Sequence, residues 1–71
     1  MDIKKELGNK IRTLRRARGL SQEVLAELSG LHPTYISGIE CGKRNVSLEN
    51  IRSLAKGLGI SLADLFADFK R

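Results

Sequence analysis

The sequence predicts an all-α fold, a compact five-helix bundle that forms one domain over residues 1–71. Three observations lead there. Apolar residues recur at intervals of three and four along most of the chain, glycines fall where those patterns stop, and the strict alternation of a half-buried strand is absent. Internal repeats and low-complexity stretches are absent too. A chain of 71 residues has a small core, because folds of this size bury only about 60% of their unfolded surface, and a second copy is one way to add to it.

Ile3, Leu7, Ile11 and Leu14 mark the first helix, which buries one face and presents lysines and arginines on the other; Gly19 ends it. Ser21 offers a hydroxyl to an otherwise unpaired N–H of the second helix, whose apolar residues are Val24, Leu25, Ala26 and Leu28. After Gly30 and Leu31, Pro33 suits the first position of a third helix, with His32 as its cap and an end near Glu40. Residues 41–46 then form a loop with Gly42 as its turn residue. Ser47 caps a fourth helix carrying Leu48, Ile51, Leu54, Ala55 and Leu58, and Gly59 stops it. Ser61 and Asp64 resemble a capping box with the shorter acid, opening a last helix at about 62–69 that carries Leu62, Leu65, Phe66 and Phe69.

The second and third helices, read together from Ser21 to Ile39, have the spacing of a helix-turn-helix. Ala26 must be small where one helix crosses the other, Gly30 must take the positive φ of the turn, and Ile36 and Ile39 must face the core. What remains outward on the third helix is His32, Thr34, Tyr35, Ser37 and Gly38, a short polar face that fits a major groove about 12 Å wide. The charge agrees. Thirteen Lys and Arg against eight acids give a net charge of +5, with Lys4, Lys5, Lys10, Arg12, Arg15, Arg16 and Arg18 crowded near the start and Lys43 and Arg44 after the third helix. Such an excess suits a polyanion, and also an ordinary solvated helix.

A single Cys41 forms no internal disulfide, no apolar leader opens the chain, and no stretch approaches the roughly 20 apolar residues of a membrane span. The expected location is inside the cell, in a reducing cytoplasm. His32 and Cys41 are too few for a structural metal site, and no nucleophile, base and acid can be assembled into a catalytic set, so neither enzyme chemistry nor a cofactor is expected.

The runs Ser-Gln-Glu-x-Leu-Ala-x-x-Ser-Gly-Leu, Thr-Tyr-Ile-Ser-x-Ile-Glu, Gly-Lys-Arg and Ser-Leu-x-x-Ile resemble the Cro/C1-type (XRE-like) regulators of bacteria and phages over residues 7–66. Thr34 to Glu40 with Arg44-Asn45 is most similar to the controller proteins of restriction-modification systems. The resemblance implies a lambda repressor-like DNA-binding domain. It also implies that Gln22 donates to a phosphate while bracing the third helix, and that Arg15 pairs with Glu40 and lies near the DNA backbone. The pattern departs from the controllers at Pro33, where an arginine is common, and at Cys41, where another basic residue stands. A target sequence unlike theirs is therefore expected.

On this reading Thr34, Tyr35, Ser37, Gly38 and His32 read bases, whereas Ser21, Gln22, Arg15, Lys43, Arg44 and Asn45 position the backbone. Solvent exposure of these polar groups is the plain alternative for each. One recognition helix reads too few base pairs to find a genomic site, so a homodimer on a palindromic operator is expected, with Leu62, Leu65, Phe66 and Phe69 at the dimer interface. The function is then a transcriptional regulator, a repressor or an activator, and activation would need a surface for RNA polymerase, to which Glu23 or Glu27 could contribute. An antitoxin that neutralises a toxin and regulates its own operon is the second reading.

Overall fold

The computed structural model describes residues 2–69, which form five helices and no strand: α1 (Ile3–Ala17), α2 (Gln22–Ser29), α3 (Pro33–Glu40), α4 (Leu48–Leu58) and α5 (Leu62–Phe66). Side-chain caps start four of them. Ser21, Ser47 and Ser61 accept from the N–H groups of Val24, Asn50 and Asp64 at 3.0, 3.1 and 3.0 Å, as the serine positions predict. Asp2, for which the sequence reading assigned no role, caps α1 by accepting from Lys4 and Lys5 N–H, and so sets a negative charge at the positive end of the helix. His32 occupies the cap position of α3 without a side-chain capping bond; there the preset φ of Pro33 starts the helix instead.

The core draws on every helix. Leu7 and Ile11 from α1, Leu25 and Ala26 from α2, Ile36 and Ile39 from α3, Leu54, Ala55 and Leu58 from α4, and Leu65 from α5 form one buried cluster. α4 packs chiefly on α2 and α1 on α3, so the second and third helices are clamped between two longer ones. At Gly30 the backbone takes φ +71°, which returns the Leu31 N–H to the Ala26 carbonyl at 2.9 Å and sends α3 across α2.

Gly8 explains how closely α3 approaches α1. A Cβ there would collide with the Ile39 carbonyl oxygen and lie 3.0 Å from that of Glu40, so only glycine lets the last turn of α3 rest on α1.

The C-terminal segment departs from expectation. α5 ends at Phe66 rather than near residue 69, because the chain leaves the helix in a turn and Asp68 pairs with Lys10 of α1 at 2.7 Å. Phe69 follows that turn, its ring edge-on to Phe66 at 4.8 Å, and both pack against the core. Leu65 is 0% exposed, which withdraws it from any surface available to a partner. The apolar groups that do reach solvent there are Leu62, 38% exposed, and Leu48 of α4, 75% exposed; they flank a groove with Glu49 and Arg52.

Candidate nucleic-acid interface

The inner end of α3 is held by charge. Glu40 is 3% exposed and its carboxylate accepts from Arg15 Nε at 2.7 Å, Arg15 Nη2 at 3.0 Å and Gln22 Nε2 at 3.1 Å. Arg12 adds its Nε 3.6 Å from the same carboxylate and donates from Nη2 to the Glu40 carbonyl at 3.1 Å. Arg15 Nη1 donates to the Leu20 carbonyl at 2.8 Å. Thus α1 and α2 converge on the last residue of α3, with Arg15 held in turn by the loop after α1, fixing the angle at which the helix stands.

Burial alone would raise the Glu40 pKa, but hydrogen bonds from Arg15 and Gln22, with the charges of Arg15 and Arg12, outweigh it and hold the carboxyl below its ordinary value. The hydrogen bond with Glu40 raises that of Arg15 against the opposing effect of burial, helped by the charges of Glu40 and Glu23. Both groups stay ionised. A pair so enclosed adds little net stability over a well-packed apolar substitute, but removing one partner strands the other charge.

The expected pairing of Arg15 with Glu40 is therefore present. At 8% exposure, with three donated bonds inside the protein, its guanidinium faces inward. Gln22 braces α3 as the resemblance implies, using one amide hydrogen on Glu40 and keeping a second.

The outer side of α3 is open. His32 and Thr34 are exposed, and Ser37 and Gly38 are half-buried. Tyr35 differs from expectation: its ring packs on the core, while its hydroxyl donates to the Asn45 carbonyl at 3.3 Å and accepts from Asn50 Nδ2 at 3.2 Å. The hydroxyl fastens the loop that follows α3, its one hydrogen committed to the Asn45 carbonyl. That loop is tied to α3 a second time, by Gly42 and Lys43 N–H groups donating to the Ile39 and Gly38 carbonyls at 3.0 Å each. Lys43, Arg44 and Asn45 are exposed upon it.

Gly38 costs the helix about 1 kcal/mol relative to alanine, and the expectation was that DNA approaches there. Within the protein the close neighbour is Arg44. A Cβ on Gly38 would lie 2.8 Å from Arg44 Cγ and 3.1 Å from its Nε, so the arginine stem runs directly over the glycine. Its guanidinium carbon stands 5.8 Å from the centre of the Tyr35 ring.

Three contributors were missed in the sequence. Gly8 sits in a lysine-rich amphipathic stretch and reads only as a weak helix position; Asn50 looks like a solvated first-turn residue; Arg12 merges with the basic excess. Arg12 alone had a signal, since it lies three residues before Arg15 and so shares a face with it. Elsewhere, Cys41 is exposed at the end of α3, and no helix among the described residues is long and apolar enough to cross a membrane.

Comparison with known proteins bears on this surface. The profile of the helix-turn-helix family matches residues 11–65. The control protein C.MunI of Mycoplasma sp is 49% identical over 71 residues, covering 99% of this chain and 96% of its own. The crystal structure of the restriction-modification controller protein C.AhdI from Aeromonas hydrophila superposes with a TM-score of 0.89 at 50% identity, covering 93% of this chain and 100% of that one. C.Esp1396I, solved as a tetramer in complex with its natural 35-base-pair operator, superposes with a TM-score of 0.89 at 34% identity over 94% of this chain and 88% of its own.

Proposed function

Since the chain belongs to the helix-turn-helix family, and within it to the control proteins of restriction-modification systems, we propose that it is a transcriptional regulator that binds a palindromic operator as a homodimer. The observation that carries the reading is the two-sidedness of α3. Its inner side is immobilised by Ile36, Ile39 and the Glu40 cluster, and its outer side offers exposed Thr34 and His32 beside the basic loop at Lys43 and Arg44. Ser37 completes the candidate base-facing set. Ser21, Gln22, Lys43 and Asn45 are the backbone-facing candidates, flanking α3 on either side. C.MunI and C.AhdI, to which it is about half identical, are control proteins, which favours this reading over the antitoxin. Such a regulator works in the cytoplasm on nucleoid DNA; if it activates, it needs a surface for RNA polymerase, to which Glu23 or Glu27, both exposed on α2, could contribute.

The longest dimension of the described chain is 31 Å, less than the roughly 34 Å between successive major-groove faces, so two half-sites require two copies. For the surface that joins them, exposed Leu48 and Leu62 replace Leu65, while Phe66 and Phe69 are partly buried against the core. Glu49 and Arg52 beside the two leucines provide the opposite charges that a self-complementary contact needs.

The test is selection of duplexes from a randomised pool, followed by fluorescence anisotropy and sedimentation velocity. One dyad-symmetric sequence should be enriched, bound by two chains, and Leu48→Glu should abolish both the dimer and tight binding. Equal affinity for selected and random duplexes at physiological salt overturns the reading.

A further inference from the structure

His32 stands exposed at the start of α3, with no side-chain capping bond and no ion pair among the described residues. It is the one histidine of the chain, and histidine is the side chain whose charge ordinarily changes between pH 5 and 8. The charged groups packed on α3 are committed elsewhere. From α1, Arg12 and Arg15 meet the far end of the helix at Glu40, where neutral Gln22 of α2 joins them. The other titratable groups of α2 are Glu23 and Glu27, both exposed. From the loop after α3, Arg44 lies over Gly38, and the hydroxyl of Tyr35 is bonded to Asn45 and Asn50.

We infer that His32 takes up a proton from solvent when α3 enters the major groove, so that operator affinity rises as the pH falls. This rests on the reading of α3 as the DNA-facing helix. Three features support it. His32 is exposed at the same end of the helix as Thr34, so a groove that receives one receives the other. Neutral imidazole has one N–H to donate and imidazolium has two, whereas phosphate oxygens and the N7 and O6 atoms of guanine only accept. Finally, the positive end of the α3 dipole draws anionic oxygen to the place where the ring stands, and Pro33, with its φ preset, holds the backbone beside it. Proton and duplex then favour each other reciprocally: a proton held more tightly in the complex makes the complex tighter in acid. Because α3 carries no Lys or Arg, this proton would be the one positive charge on the helix itself.

The experiment measures binding of the selected and random duplexes by fluorescence anisotropy from about pH 6 to about pH 8 at fixed salt. Titration calorimetry in two buffers of different ionisation enthalpy counts the protons, and circular dichroism at each pH confirms intact helices. Wild type should bind the selected duplex roughly tenfold more tightly at the acid end and take up a proton as it does so. His32→Asn, which keeps a favoured cap residue without a titrating ring, should flatten the dependence and abolish the uptake. Cys41→Ser should keep the wild-type slope, which separates the imidazole from the exposed thiol at the other end of α3. Equal uptake on random duplex would assign the acceptor to phosphate, and uptake confined to the selected duplex would assign it to a base edge; either supports the inference. If His32→Asn keeps the slope, or wild type selects its duplex without taking up a proton, the inference fails alone. If wild type prefers no sequence, the parent reading fails with it.

Discussion

The two ends of α3 are built on opposite principles. At its C-terminal end, Glu40 is gripped by Arg12, Arg15 and Gln22, and the backbone rests on Gly8 without room for a methyl group. At its N-terminal end, His32 makes no capping bond and Thr34 points to solvent. One end is overdetermined and the other is nearly free. The contrast teaches how a small domain can present changeable residues at a fixed angle: orientation is set by the groups packed around Glu40, and the exposed residues at the other end are ones the fold does not need.

Breaking the inner end should have the largest effect. Glu40→Ala leaves Arg15 buried without its partner, and a loss of about 3 kcal/mol in urea denaturation is expected. Replacing both partners, Arg15→Met with Glu40→Leu, should recover most of that loss, since the penalty lies in the stranded charge. If the double variant is no more stable than the single one, the pair is not what anchors α3. Gly8→Ala is expected to follow at about 2 kcal/mol, because the methyl would push against main-chain carbonyls that cannot swing aside, outweighing the gain in helix propensity. A Gly8→Ala variant as stable as wild type would show that α1 and α3 can separate freely.

Acid should weaken the same end by a smaller step. The Glu40 carboxyl takes up a proton less readily in the folded chain than in the unfolded one, so its contribution is complete above the ordinary glutamate range. It is lost as the pH falls through that range and past the depressed folded value. Arg15 stays protonated throughout and adds no slope. The neutral double variant should therefore show a shallower decline of melting temperature from neutral to acidic pH than wild type does. Parallel declines would place the acid sensitivity in other carboxylates, Asp68 beside Lys10 among them.

How much of this was legible in the sequence follows from which contacts are local. The five helices, their serine caps and the Gly30 turn depend on neighbours within four residues, and the spacing of Ser21 through Ile39 announces them. Contacts that cross the chain were legible only where a motif carried them, as with Arg15 and Glu40. The rest depended on the fold. Nothing near Gly8 tells that residue 39 will touch it, and nothing near Arg44 says that it turns back over Gly38 rather than outward. The end of α5 was misread for the same reason: Phe69 fits the helical period, but the ion pair of Asp68 with Lys10 lies 58 residues away in sequence.

The outer end should respond in the opposite manner, with function changing and stability not. Thr34 is exposed and makes no intramolecular side-chain bond among those described, so Thr34→Ala should leave the urea midpoint where it is. Operator binding should weaken by about 1 kcal/mol, the low end for a base contact, because a hydroxyl and a methyl cannot form a bidentate pair. Its signature is relaxed preference at one base position. Lys43→Ala, on the loop, should produce the smallest and least selective change: every duplex loses affinity alike, and the slope of log affinity against log salt falls by roughly one. The two substitutions thus separate reading from gripping on surfaces that adjoin. Should Thr34→Ala weaken random and cognate duplexes equally, Thr34 would join Lys43 among the phosphate contacts, and the free end of α3 would carry less of the specificity than the loop laid over it.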